Sequence, residues 1–174
     1  MICPSCGETN LMGADECNRC QFDLSALDRP VPADAVEVSL MTDPVAVLRP
    51  RPPVCVPATA DLGRAMVDMI RHAVGAVLVT DPAGRLEGIL TERDFLTKIA
   101  GSDTLALLPV RQFMTRTPEA VRPTDSLAFA LRLMDVGRYR HLPVVDAGRP
   151  VGVISVKDVL RHVLALCRPR SRGK

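Results

Sequence analysis

The chain has 174 residues, 47% of them hydrophobic, and a formal net charge of +2, apolar material enough for one domain with a small appendage. That small charge and an aromatic content of only 3% leave a nucleic-acid partner unsupported, because no basic stripe carries the interleaved rings on which bases stack. Apolar runs such as residues 73–79 fall far short of the roughly 20 residues that cross a bilayer; no membrane span is expected, and with neither a basic nor an apolar block at the start the expected compartment is the cytoplasm.

Four of the six cysteines stand in the first twenty residues as two CxxC pairs, Cys3 with Cys6 and Cys17 with Cys20. Each CxxC turn lets two thiolates reach one ion, and two such turns close a tetrahedral site with no open coordination position. The competing arrangements are two disulfides, which a reducing compartment disfavours, and a redox dithiol, which needs only one CxxC on a larger fold. The segment CPSCGETNLMGADECNRCQFDL resembles the short zinc ribbons found at the ends of many bacterial and archaeal proteins. Gln21 departs from that pattern, standing where a glycine commonly follows the last cysteine. The resemblance implies a structural zinc held by Cys3, Cys6, Cys17 and Cys20 in a ribbon over residues 1–24. So small a module would take its folding free energy from the metal. Cys55 and Cys167 read as ordinary buried or half-buried cysteines.

Residues 25–39, with Pro30 and Pro32, read as a linker or short connecting helix, and the proline-rich residues 40–57 as a strand-rich entry segment. From Thr59 the chain repeats itself. Thr59, Leu62, Ala65, Met69, Val79 and Asp81 recur at one constant offset as Thr124, Leu127, Ala130, Met134, Val144 and Asp146. A single position is then lost in a turn, and Gly88, Thr91 and Asp94 recur at the shortened offset as Gly152, Ser155 and Asp158. Leu62, Ala65, Met66, Met69 and Ile70 fall at helical spacing, as do Leu127, Ala130, Leu131 and Met134, and predict one buried helical face per copy. Asp61 and Ser126 are the expected N-caps. A strand, a Gly turn, a second strand and a last helix follow, over residues 92–100 in one copy and 156–167 in the other. Phe95, Leu96 and Ile99, then Val159, Leu160, Val163 and Leu164, mark their apolar faces. Two copies of one supersecondary unit bury each other's apolar faces, so a pocket between them should come in two related versions.

GILTERD and GVISVKD, the strands VLVTD and LPVVD, and the MTRTPEAVRPTDSL entry to the second copy resemble CBS domains, and two in tandem resemble the compact pair called a Bateman module. The first copy departs at its entry: Met41 and Thr42 stand too far before Thr59 to match Met114 and Thr115, as though proline-rich text were inserted. The resemblance implies an α+β fold of two βαββα repeats packed as a pseudo-two-fold pair. The first CBS domain is placed at residues 40–105, the second at 106–167, and a basic tail at 168–174.

In this family the cleft between paired sheets takes adenosine-containing ligands such as AMP, ADP, ATP or adenosyl-methionine. The resemblance implies that Thr91 with Asp94, and Ser155 with Asp158, hold the ribose. An ionised Asp can accept from two vicinal hydroxyls in charge-assisted bonds. Arg93 and Lys157 stand at helix starts, where cations and free amides meet phosphate. The family also uses the start of the preceding strand, here Gly75, Ala76 and Val77 in one copy and Arg140, His141 and Leu142 in the other. The copies are therefore unequal, with Arg140 and His141 offering charge for phosphate to the second. Thr or Ser three residues before an acid is also a helix cap, which stabilises by about 1 kcal/mol with no ligand, and residue type does not separate the two roles.

No enzyme is expected. There is no Ser, His and Asp set with a nucleophile turn, no GxxxxGK[ST] loop, and no metal-ligand spacing among His72, His141 and His162. The preferred expectation is a regulatory module read by a protein partner whose identity the sequence does not give. A scaffold without ligand, with the ribbon as contact surface, is the alternative. The resemblance also implies a flat homodimer.

Overall fold

A computed structural model of the chain describes residues 1–11, 13–25, 34–99 and 105–167, with the side chains of residues 98, 99 and 105 left aside. The expected basic tail, Pro30, Pro32 and the side chain of Ile99 lie outside the described residues. The chain divides into two units, Met1–Asp34 and Ala35–Lys174.

In the unit Met1–Asp34, each CxxC closes a tight turn. Gly7 N–H donates to Cys3 O and Cys3 N–H to Glu8 O, both at 2.9 Å; Gln21 N–H donates to Cys17 O and Cys17 N–H to Phe22 O, also at 2.9 Å. Both turns require left-handed backbone just after the second cysteine, with φ of 73° at Gly7 and 58° at Gln21. A side chain in that region costs about 1–2 kcal/mol, so the missing glycine taxes the second turn without abolishing it. Leu24, fully buried, packs with Cys3 and Cys17 in the unit's small core.

The unit Ala35–Lys174 runs α1 (Ala35–Thr42), a 3-10 turn (Val45–Leu48), β1 (Cys55–Pro57), α2 (Leu62–His72), β2 (Ala76–Thr80), β3 (Leu86–Thr91) and α3 (Glu92–Asp94), which continues as a π-helical turn (Phe95–Ile99). After 3-10 turns at Leu105–Leu107 and Val110–Gln112 come β4 (Thr115–Arg116), α4 (Leu127–Val136), β5 (His141–Asp146), β6 (Arg149–Ser155) and α5 (Val156–Cys167). One sheet has the order β1-β2-β3-β4, and β5 pairs antiparallel with β6 in the other. The repeat survives as geometry. Val56 pairs parallel with Val79, and their equivalents Val121 and Val144 pair parallel in the second copy. The hydrophobic layer of Ala76, Leu78 and Ile89, with Val153 against it, joins the two copies.

Each copy is finished by the segment that precedes the other. Val110 sits in the core of the first copy with Leu62, Ala65 and Val79. Val45, its counterpart at the repeat's own offset, sits in the core of the second with Ala130, Val144 and Ile154. Backbone bonds repeat the exchange: Leu62 N–H donates to Leu108 O at 2.9 Å, and Leu127 N–H to Asp43 O at 3.0 Å. At the sheet edges, Thr115 pairs with Ile89 and Arg51 with Val153.

This register corrects the expected insertion in the first copy. Arg51, not Thr42, occupies the place of Thr115, so the first entry is almost as long as the second. Met41 and Thr42 lie in α1, and of the expected strand-rich stretch 40–57 only Cys55–Pro57 is strand. Prolines 50, 52 and 53 lack the N–H a ladder needs, which leaves Arg51 a single bridge at an edge.

The helical faces are narrower than expected. Leu62, Ala65 and Met69 are buried and so are Leu127, Ala130 and Met134, but Met66 and Ile70 are exposed and Leu131 is half-buried. Val159 is buried, Phe95 and Val163 half-buried, and Leu96, Leu160 and Leu164 exposed. Ser126 Oγ accepts from Phe129 N–H at 3.2 Å as an N-cap should, whereas Asp61 makes no side-chain cap bond. Cys55 and Cys167 are exposed rather than buried: β1 alternates outward at Cys55, and Cys167 ends α5.

Gly88 and Gly152 share one task, giving room to the crossing entry segment. A Cβ at Gly152 would lie 2.5 Å from Pro50 Cβ, and one at Gly88 2.5 Å from Met114 Sδ. The proline ring is rigid and the thioether is not. Gly152→Ala is therefore expected to destabilise the unit by about 1–3 kcal/mol, the usual range for overpacking, and Gly88→Ala by less. Urea unfolding of both variants checks the order.

Candidate functional site

Two clefts open where the exchanged segments cross, and each is built around one Thr/Ser and Asp pair. β3 ends at Thr91 and α3 begins at once; β6 ends at Ser155 and α5 begins at once. In the first pair Asp94 Oδ2 accepts from Thr91 N–H at 2.9 Å and from Thr91 Oγ1 at 2.7 Å. In the second, Asp158 Oδ2 accepts from Ser155 N–H at 2.7 Å and from Ser155 Oγ at 2.6 Å. The helix-capping role raised by the sequence is thus present in both copies, and at Thr91 the capping box is reciprocal. Asp158 Oδ1 additionally accepts from Arg161 Nη1 at 2.9 Å. In both pairs Oδ2 is the oxygen that the cap occupies.

The first cleft, of about 610 Å³, holds Ser155, Lys157 and Asp158 against Gly75 and Ala76 of the other copy and the entry residues Arg51 and Val54. The second, of about 510 Å³, holds Thr91, Arg93 and Asp94 against the entry residues Thr115 and Glu119 and residues 137–141. Both volumes lie in the range of about 300–1,000 Å³ of small-molecule sites. Each cleft therefore pairs the Thr/Ser and Asp of one copy with the strand start of the other. Glu92, Arg140 and His141 line both clefts and form the wall between them. Of the residues singled out from the sequence, Val77 and Leu142 line neither cleft, being buried in the cores of the first and the second copy.

His141 leans over Gly75, where a Cβ would lie 2.9 Å from its Nε2 and 3.3 Å from Glu92 Cδ. Burial pushes its pKa below the ordinary 6.5, against the opposing pull of the Glu92 and Asp158 carboxylates. The ring is neutral at pH 7, so the fixed positive charge at this wall comes from Arg140, and His141 offers a hydrogen bond instead.

A polar cluster that the sequence did not reveal joins α1 to α5. Ser39 Oγ donates to Asp43 Oδ2 at 2.5 Å and lies 2.7 Å from His162 Nε2, which is itself 3.8 Å from Asp43 Oδ2. Serine and carboxylate thus face the same ring nitrogen, whereas a nucleophilic triad places them on opposite nitrogens. Ser39 is also buried, at 5% exposure. The cluster clamps two helices.

In the unit Met1–Asp34 the four thiols converge. The Sγ atoms of Cys3, Cys6, Cys17 and Cys20 all lie within 4.8 Å of one another, with Cys3 to Cys20 at 3.7 Å and Cys6 to Cys17 at 3.6 Å. Zn–S bonds of about 2.3 Å in a tetrahedron require sulfur separations of about 3.8 Å, so the donor set fits a four-coordinate soft metal. The Cys20 backbone N–H, then that of Arg19 and the Asn10 amide, hold the Cys17 thiol down at about 6 against the opposing effect of desolvation. Asn10 is the residue that spacing alone did not single out. Buried at 5% exposure, it points Nδ2 at Cys17 Sγ at 3.5 Å and accepts from Asn18 N–H at 2.9 Å.

The CBS domain family model matches residues 36–101 and 110–165, which together are most of the chain. The chain belongs to the CBS domain family. A CBS domain-containing protein of Arabidopsis thaliana, CBSCBSPB1, is 33% identical over 121 residues, 68% of this chain and 22% of that protein. The chain thus spans about a fifth of the length of such relatives. Among solved structures, a CBS domain protein from Pyrobaculum aerophilum complexed with AMP has a TM-score of 0.62 and 27% identity, covering 70% of this chain and 98% of that one. CBSX2 in complex with AMP has a TM-score of 0.64 and 26% identity, covering 72% and 99%.

The two matched CBS stretches coincide with the repeat, and both lie in the unit Ala35–Lys174. Among the described residues no helix is long and apolar enough to cross a membrane. His141 gives this CBS pair a pH signature. Its folded pKa lies below its ordinary value of 6.5, so between the two the unfolded chain binds a proton that the folded chain does not, and stability falls as pH falls. Relative to His141→Gln, the wild type should lose urea resistance from about pH 6.5 downward, with no such divergence above neutrality. Parallel curves from pH 8 to pH 5 would place His141 in water.

Proposed function

We propose that this CBS pair is a regulatory sensor that takes an adenosine-containing ligand, of the class AMP, ADP, ATP or adenosyl-methionine, in the clefts between its copies. The reading rests on one observation above the rest: each cleft sets an Asp, already oriented by its own Thr or Ser, opposite the open strand start of the other copy. Oδ2 is taken by the cap, and Oδ1 of Asp94 or Asp158 is the oxygen proposed to accept the ribose hydroxyls. Arg93, Lys157 and Arg140 are proposed to meet phosphate, and Ala76 the base. The AMP complexes of two similar CBS structures support the ligand class.

Ligand bridging residues of both copies shifts their packing only through unequal affinity for two arrangements, so a protein partner is proposed to read that shift. Exposed Leu96, Leu160 and Leu164 supply an apolar surface for the proposed homodimer. The matched family is that of the CBS domain, and no catalytic role is proposed. The four-cysteine cluster is proposed to hold one structural zinc, and free thiols of this kind suit a reducing, cytoplasmic compartment. The proposed boundaries are a ribbon at 1–24, a linker at 25–39, CBS domains at 40–105 and 106–167, and a basic tail at 168–174.

The complete capping box at Thr91 favours the alternative of a scaffold without ligand, and calorimetry decides. Wild-type protein should bind AMP, and Asp94→Ala and Asp158→Ala should each weaken one site by about tenfold or more, the loss expected for charge-assisted hydrogen bonds. Wild type that binds no adenosine compound would leave the scaffold. Elemental analysis should find about one zinc per chain, removed together with the fold of the ribbon by chelator; zinc-free protein with four reactive thiols would refute the metal.

A further inference from the structure

We propose that the two clefts are divided by ligand charge: the Ser155–Asp158 cleft is the polyphosphate site, and the Thr91–Asp94 cleft takes a less negative ligand, a nucleoside or its monophosphate. This rests on the adenosine reading above and goes beyond it. The Ser155–Asp158 cleft is lined by four cations, Arg51, Arg140, Lys157 and Arg161, against two carboxylates, Glu92 and Asp158. The Thr91–Asp94 cleft sets Arg93, Arg138 and Arg140 against Glu92, Asp94 and Glu119 and is balanced.

Position by position, the repeat shows where the difference arises. Arg51 stands where the other cleft has Thr115, as their equivalent pairings with Val153 and Ile89 show. In the register that matches Thr91 to Ser155 and Asp94 to Asp158, Val156 stands for Glu92 and Arg161 for Thr97. The exchanges at Arg51 and Arg161 make the Ser155–Asp158 cleft more positive, whereas Glu92 lines both clefts and does not distinguish them. Lys157 and Arg93 are equivalent and cancel. Arg138 in place of Ala73 works in the opposite direction, but the Glu119 carboxylate on the same wall offsets it.

Arg140 lines both clefts, so the allocation of its guanidinium matters most. Among the described residues no ion pair engages Arg51, Arg140 or Lys157, whereas Arg161 is held at 2.9 Å by Asp158. Three unpaired cations can therefore converge on one phosphate chain without first breaking a bond. In the Thr91–Asp94 cleft the same chain would meet Glu119, a carboxylate that the other cleft replaces with Val54, and like-charge juxtaposition is an effective means of rejecting a ligand.

The test compares ATP with adenosine, in magnesium-free buffer, by calorimetry on the full chain. In an Asp94→Ala background, which reports the Ser155–Asp158 cleft, ATP should bind about tenfold or more tightly than adenosine, a preference that rising salt erodes. Adding Arg51→Gln and Lys157→Gln should collapse that preference to within about twofold while adenosine binding is retained. In an Asp158→Ala background adenosine should bind at least as tightly as ATP. Because each comparison is a ratio of two ligands on one protein, loss of folded material cancels from it. Equal ATP preference in both backgrounds, or a preference that survives Arg51→Gln with Lys157→Gln, overturns the division while leaving the adenosine reading intact. Failure of the wild type to bind either ligand overturns both.

Discussion

The unit Ala35–Lys174 depends on a reciprocal exchange of apolar anchors: Val45, from the segment before the first copy, fills the core of the second, and Val110, from the segment before the second, fills the core of the first. A single CBS copy is near the lower size limit for independent stability. Removing the anchor of either would open a cavity in it. The exchange therefore makes the pair one cooperative body. It also fixes where the clefts fall, because the backbone leaving each anchor crosses the partner copy's second strand and forms the wall opposite that copy's Thr/Ser and Asp pair. Gly88 and Gly152 belong to the same constraint, since any side chain there would collide with the crossing segment.

In the proposed reading the carboxylates that line the clefts carry two duties through two oxygens. Oδ2 closes the cap that starts the following helix, and this locks the side chain's rotamer. A preoriented acceptor loses less entropy on binding than a free one, so capping and ligand binding need not compete. Asp158 is further engaged by Arg161, which links that carboxylate to one of the cations of its cleft.

Much of this was legible in the sequence because the duplication is nearly gapless. The constant offset located both long helices, both strand pairs and the Thr91, Asp94, Ser155 and Asp158 set, and the CxxC spacing located the thiol cluster. The entry segments were harder. Proline-rich text has no period-two pattern, so residues 40–57 read as strand although only Cys55–Pro57 is one. The signal was nonetheless present as Pro44-Val45 and Pro109-Val110, which stand upstream at the same offset as Thr59 and Thr124. The cross-pairing of each strand start with the other copy's Asp could not be read from offsets, which relate equivalent residues and are silent on which copies touch. The exposure of Met66, Ile70 and Leu160 was hidden for a similar reason, since periodicity reports an apolar face but not what covers it. Asn10 escaped notice because an amide has no place in a ligand count.

The most direct test of the central claim is a crystal structure of the protein grown with AMP. The account predicts AMP in a cleft between the copies, with its ribose hydroxyls on Oδ1 of Asp94 or Asp158 and that Asp still capped by its own Thr or Ser. AMP bound away from both carboxylates, or clefts left empty at saturating AMP, would contradict it.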